Sequence, residues 1–273
     1  MASSNPAFNT PAFAQNGNGA APAVPRASDI SADQLAEQYG RPSATPTDTD
    51  RMTYEDTIVK TVVSFVVLVA FAGIGWFVPV LAIPAALIGF GLALVNIFKK
   101  KPSPPLVLAY AAAQGLFVGA ISASFATMFD GIVPMAVMGT LIVVGVTLAL
   151  FASGKIRASK RATKIFLVAM IAYAAFSLVN LGLMLFGVTD SMFGTRDYVI
   201  PIFGGIPLGV VIGLLVIVLA AYSLVLDFDA IQRGVRNGAP RIFAWRGAFG
   251  IMVTVVWLYL EMLRLLSYFM PRN

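Results

Sequence analysis

The chain has 273 residues, 58% of them hydrophobic and only 12% charged, with a net charge of +6 and neither Cys nor His. A soluble domain of this size carries roughly twice that charged fraction, so a mean hydropathy of +0.83 excludes an ordinary soluble fold and puts the chain in the membrane class. Disulfide and zinc-thiolate chemistry, serine–histidine catalysis and histidine pH sensing are excluded for want of the side chains.

The first 55 residues stand apart. "MASSNPAFNTPAFAQNGNGAAPAVPRAS" is rich in Ala, Pro, Asn, Ser and Gly, and such a segment cannot bury enough apolar surface to order itself. It lacks the basic start and apolar core of a signal peptide. A short helix around "SADQLAEQYG" is predicted, with Ser31 and Gln34 at capping-box spacing. Residues 1–55 therefore read as a disordered cytoplasmic tail, and 56–273 as an all-α integral membrane domain.

Apolar runs long enough to cross a bilayer, roughly 20 residues, lie near 57–78, 80–98, 105–127, 131–152, 164–187, 204–226 and 248–270. Seven transmembrane helices is the reading; six with one re-entrant hairpin is the competitor, because only a turn at Pro79 divides the first two runs. Thr53 followed by Asp56 gives the first helix a capping-box start. Lys60, one turn into that span, reads as snorkelling to the membrane surface. In the third span Ala111, Gly115 and Gly119 recur every four residues, a row of small side chains that lets helices approach closely in lipid. Asn96, Gln114 and Asn180 are candidates for hydrogen bonds between helices. Gly204, Gly205, Pro207 and Gly209 hint at a broken start to the sixth span.

Charge sets direction. Lys99, Lys100 and Lys101, then Lys155, Arg157, Lys160, Arg161 and Lys164, then Arg233, Arg236, Arg241 and Arg246 occupy alternate loops, twelve basic residues in all. The opposite loops hold Arg196 with Asp130, Asp190 and Asp197. By the positive-inside rule the N-terminus is cytoplasmic and the C-terminus outside. That placement, in short loops between apolar runs, also argues that the basic residues serve topology rather than nucleic acid.

Seven of the thirteen acids fall at or before Asp56 and three in the outer loops. The remaining three, Asp227, Asp229 and Glu261, need explaining, because an acid at the bilayer centre costs roughly 2.5–3.5 kcal/mol on insertion scales. Arg233 is at i+4 from Asp229 and Arg264 at i+3 from Glu261, so both have intrahelical partners within reach. Asp227 has none, and it is the better candidate to face the bundle interior. A carboxylate of the sixth span facing one of the seventh would share a proton and titrate as a coupled pair. Deprotonated, the pair could contact a hard cation. No nucleotide loop, retinal-type lysine or intramembrane protease signature is present, so the chain reads as no enzyme and as needing no cofactor.

"LVLDFDAIQRG" (224–234) and "WLYLEMLRLL" (257–266) resemble the Bax inhibitor-1 family, the transmembrane Bax inhibitor motif proteins. The longer pattern "MTYEDTIVKT … NIFKKKPSPPLVLAYAAAQGLFVGAIS … LVLDFDAIQRGVRNGAP" is similar to a bacterial branch of it, over roughly residues 52–270. The resemblance implies six helices packed around a central C-terminal seventh. It also implies a pH-sensitive calcium leak gated by an acid pair on helices 6 and 7, which carries over to Asp227 and Glu261; the spacing of the residues adds Asp229, Arg233 and Arg264 as supporting charges. Two departures stand out: Glu261 replaces the family's usual Asp, and the stretch between the acids is long. Depth is in tension as well, since Asp227 lies near the cytoplasmic end of its span while Glu261 is well inside the next.

The expectation is a multi-pass protein of the bacterial inner membrane that passively leaks cations, with Ca²⁺ as the permeating ion and the lipid bilayer as its partner. Two rivals remain. One is a non-conducting regulator that binds a membrane-protein partner such as a protease, docking through the tail. The other is a proton-coupled transporter with a midplane site.

Overall fold

A computed structural model of the chain describes residues 50–189, 191–201 and 205–272. The tail to residue 49, with Ser31 and Gln34, lies outside the described residues, as do Asp190 and Gly204.

Seven long helices follow one another: α1 (Tyr54–Phe77), α2 (Ala82–Phe98), α3 (Pro104–Met128), α4 (Ile132–Ala152), α5 (Lys160–Leu185), α6 (Leu208–Arg236) and α7 (Ala244–Ser267). Counting the short 3₁₀ turns Pro79–Leu81 and Arg241–Phe243 with the helices they precede, all seven are long and apolar enough to cross a membrane. Local chemistry sets the ends. The Asp56 amide donates to the Thr53 hydroxyl at 3.1 Å, capping α1, and Ser159 caps α5 in the same way. α1 stops at Phe77, ahead of Pro79, as the residue before a proline disfavours helix. Pro104 opens α3, where its missing N–H costs nothing. Gly131, at φ +73°, turns the chain from α3 into α4, a left-handed conformation that suits glycine.

Helix ends depart from the sequence boundaries, most of all at the α6–α7 connection. α6 runs ten residues past the apolar stretch that ends at 226, and α7 starts at 244 rather than 248. Hydropathy marks where lipid ends, whereas the backbone ladder continues into the polar "DFDAIQRGVR". The packed bundle takes in a residue ahead of 56 as well: Met52, an apolar side chain, is buried against Ile231 and Ala244.

α3 and α7 form the interior, each 56% buried over its apolar window, against 17% for α1 and 11% for α5. α7 packs on α6, α1, α4 and α3 and touches α5 through Trp257 and Tyr173 (5.9 Å between rings). α2 packs chiefly on α3. The small-residue row in α3 does what its spacing suggests. A Cβ on Gly115 would stand 2.3 Å from the Leu68 carbonyl oxygen and one on Gly119 2.0 Å from that of Ala72, while one on Gly75 of α1 would meet the Leu116 carbonyl at 2.2 Å. α1 and α3 therefore touch backbone to backbone.

The basic loops share one end of the bundle. Arg246 donates to the Lys99 and Lys100 carbonyls, and Arg157 to Gln232. Lys60 is more than a snorkelling side chain: it binds Asp56 at 2.5 Å and the Arg241 carbonyl at 3.0 Å, tying α1 to the start of α7. At the far end a two-stranded ladder, β1 (Val199–Ile200) with β2 (Ile206–Pro207), closes the α5–α6 connection.

Candidate functional site

The register of α6 against α7 decides what their acids can do. Gly250 faces Asp227, Gly247 faces Ile231, Gly213 faces Leu265 and Gly209 faces Tyr268. The helices are antiparallel, so going up one is going down the other. Asp227 lies at the level of Gly250 and Thr254, and Glu261 is seven residues further along α7, about 10 Å at 1.5 Å per residue. The structure does not bring Asp227 and Glu261 together. It gives them separate sites along α7, which Asp227 reaches from α6 and Glu261 occupies from α7 itself.

At the basic end, the Thr254 hydroxyl donates to Asp227 Oδ2 at 2.7 Å and lies 3.2 Å from the Ser223 hydroxyl. The other carboxylate oxygen sits in the notch left by Gly250, where a Cβ would come within 2.8 Å. Asp227 and Gly250 border a cavity of about 440 Å³ that also meets Asn96, Arg246, Gly234 and Met52. Asn96 belongs to its wall through bonds to the Leu92 and Leu106 carbonyls, the second of which links α2 to α3. Asp229 does not take part. It is ion-paired with Arg233 at 3.0 Å, whose side chain is largely exposed.

At the far end, Glu261 is 2% exposed and Arg196, from the α5–α6 connection, 4%. Arg196 Nη1 lies 3.4 Å from Glu261 Oε2, and Arg264 Nη1 lies 2.5 Å from Oε1. The Tyr173 hydroxyl donates to the same carboxylate. Arg196 Nη2 donates to the Tyr173 hydroxyl at 3.0 Å and to Ser177 at 3.4 Å, and its guanidinium lies over the Tyr173 and Phe176 rings. The turn that delivers it, Gly194–Asp197, is latched by Asn180. Asn180 Oδ1 accepts from the Thr195 amide (2.7 Å) and hydroxyl (2.6 Å), and Nδ2 donates to the Phe193 carbonyl (3.1 Å). Asp197 accepts from Tyr268 at 2.8 Å, which pins the turn to the end of α7.

Between the two sites the interior is apolar. Ala220, Leu224 and Leu258 are all completely buried. Among the described residues no group of three or more acids gathers to hold a metal ion, so a cation shared between Asp227 and Glu261 has no ligand set in this arrangement.

A family model described as Bax inhibitor 1 like matches residues 5–271. The chain belongs to the Bax inhibitor-1-like family. With its seven candidate spans it is a multi-pass membrane protein of that family. The match extends beyond the 52–270 stretch of resemblance and takes in nearly all of the tail. No curated protein matches the chain.

Three side chains of these two sites escape a reading by motif. Thr254 looks like one more small polar residue in a membrane helix, and Tyr173 like one aromatic among many. Arg196 had a signal: it is the one basic residue in the loops opposite the basic end. A lone cation there is not needed for topology and invites a search for the buried acid it serves.

Proposed function

We propose that the protein is a pH-sensitive, passive cation leak of the bacterial inner membrane, with its N-terminus in the cytoplasm and Ca²⁺ as its ion. The observation that carries this reading is the pair of polar sites along α7, one of the two most buried helices, separated by an apolar stretch. Ionisable side chains inside a membrane bundle are costly and mark ion pathways. Hard cations take oxygen ligands, and the cavity offers the Asp227 carboxylate and the Asn96 amide. The acids act in series and not as a dyad. Asp227 draws cations into the basic-end cavity. Glu261, clamped between Arg196 and Arg264, presents two guanidiniums to anything crossing the far end, and two fixed positive charges repel a cation. Protonation of either acid changes the charge at its site and so biases the packing around it.

Flux of Ca²⁺ into liposomes carrying the purified protein, measured from pH 5 to 8, tests this. Wild type should leak in a pH-dependent way, and Asp227→Asn and Glu261→Gln should each flatten the profile. Wild-type liposomes as tight as empty ones at every pH would end the leak reading.

One observation favours a second reading. The family match reaches back to residue 5, so the tail belongs to the family pattern, which supports a regulator that docks a membrane-protein partner. Deleting residues 1–49 separates the two: a leak survives the deletion, and partner recruitment does not.

A further inference from the structure

Residues 50–53 precede the first helix, yet they are held. The Arg241 amide donates to the Asp50 carbonyl at 2.9 Å and the Met52 amide to the Ala239 carbonyl at 2.7 Å. Arg51 and Pro240 form an antiparallel bridge between these bonds. Asp50 adopts a positive φ of 48° and Gly238, in the facing turn, one of 63°, so the chain bends sharply on both sides of the bridge. The Met52 side chain is 4% exposed. Its sulfur lies 3.0 Å from where a Cβ on Gly234 would stand, so the missing side chain at 234 makes the slot that Met52 fills. Immediately after it the chain is anchored a second time, through Asp56 and Lys60 to Arg241.

Met52, Gly234 and Ala239 border the same cavity as Asp227. Gly234 is seven residues from Asp227 on α6, about 10 Å along the helix, so Met52 lies at the end of the cavity nearest the α6–α7 connection and Asp227 deeper in. We propose that residues 50–53 are a strap over the end of the Asp227 cavity nearest the α6–α7 connection, with Met52 as its stopper, covering that end until the strap peels away from Ala239–Arg241. The functional consequence, an autoinhibited leak, rests on the cation-leak reading; the closure itself does not. Two backbone hydrogen bonds and one unbranched, flexible side chain are a light fastening. The helices on either side, α1 and α7, stay joined through Lys60 when the strap lifts.

The chain contains no cysteine, so a single introduced thiol reports on the cavity without interference. The full-length Asp227→Cys protein in detergent is reacted with a charged, water-soluble maleimide. Met52→Gly in that background should raise the labelling rate at least tenfold, and Met52→Leu, which refills the slot, should leave it unchanged. Equal rates for the Gly and Leu variants would overturn the strap. Should the Met52→Gly chain fold poorly, the bridge supplies the converse variant. Paired residues of an antiparallel bridge lie within disulfide range. Oxidised Arg51→Cys/Pro240→Cys in the Asp227→Cys background should therefore slow modification of the cavity thiol, read by peptide mass, below the rate in the reduced protein. No slowing would likewise overturn the strap. Flux through cysteine-free Met52→Gly is the separate readout. Faster labelling with raised Ca²⁺ flux supports lid and leak together, whereas faster labelling with no flux keeps the lid and removes the leak.

Discussion

Arg196→Met is the sharpest test of the far-end site. The substitution keeps an unbranched apolar stem over the Tyr173 and Phe176 rings and removes the guanidinium. What is lost is contact with Glu261 at 3.4 Å, with Tyr173 at 3.0 Å and with Ser177 at 3.4 Å. Breaking one side of a buried ion pair costs about 3–5 kcal/mol. Glu261 keeps Arg264 and Tyr173, so the loss should fall at the lower end, about 3 kcal/mol. Glu261→Leu is the harsher change, since it strands one guanidinium that is 5% exposed and another that is 28% exposed, and the upper end, about 5 kcal/mol, applies. The double variant should recover about 2 kcal/mol of the summed losses, because two residues in contact are coupled. Denaturation midpoints in SDS, followed through tryptophan fluorescence, to which Trp257 contributes from its place against Tyr173, give all three values. If Arg196→Met falls within about 0.5 kcal/mol of wild type, or the two losses simply add, the clamp described here is not an energetic unit.

The α1–α3 contact and the Asn180 latch make separate predictions. Gly119→Val puts a Cβ 2.0 Å from the Ala72 carbonyl oxygen, and as one helix backbone fixes the Cβ and the other holds the oxygen, the pair must separate, at about 3 kcal/mol for overpacking. Gly91→Val, where nothing lies within 4 Å, is the control and should be near neutral in the same titration; equal losses at the two positions would refute close packing as the cause. Asn180→Leu removes three bonds to residues 193–195. It should speed hydrogen exchange or proteolysis at the Gly194–Asp197 turn while shifting the global midpoint much less, and an unchanged turn would show that Asp197 and Tyr268 suffice to hold it.

The helices were legible because lipid imposes a crude rule, about twenty apolar residues per crossing, that seven stretches obey. Gly115 and Gly119 were legible for a related reason, since four-residue spacing fixes a helix face without any knowledge of the partner. The Arg233–Asp229 and Arg264–Glu261 contacts follow from spacing in the same way. Pairing between helices was not legible. Whether Asp227 meets Glu261 depends on the register of α6 against α7, and that is set by Gly209, Gly213, Gly247 and Gly250 receiving side chains from the opposite helix. No local pattern encodes it. Arg196 lies 65 residues from Glu261 in sequence, on a connection whose path to the buried acid depends on Asn180 and Tyr268. Met52 escaped because composition places it in the tail, and only Gly234 and Ala239 reveal its slot.

The wall of this bundle is uneven, and α5 is its thin part. Only 11% of its apolar window is buried, and it is fastened by a few points along its length: Thr163 near one end, whose hydroxyl lies 3.0 Å from that of Tyr222, Tyr173 in the middle and Asn180 near the other end. A helix held by a row of rivets rather than a continuous seam separates from its neighbours at low free energy. α1 and α3, welded along their backbones, move as one body. Mechanical compliance is therefore concentrated on one side of the molecule, and that side carries Tyr173, the hydroxyl that joins Arg196 to Glu261. A change in bilayer thickness, which helices answer by tilting, would reach the buried acid through α5 first.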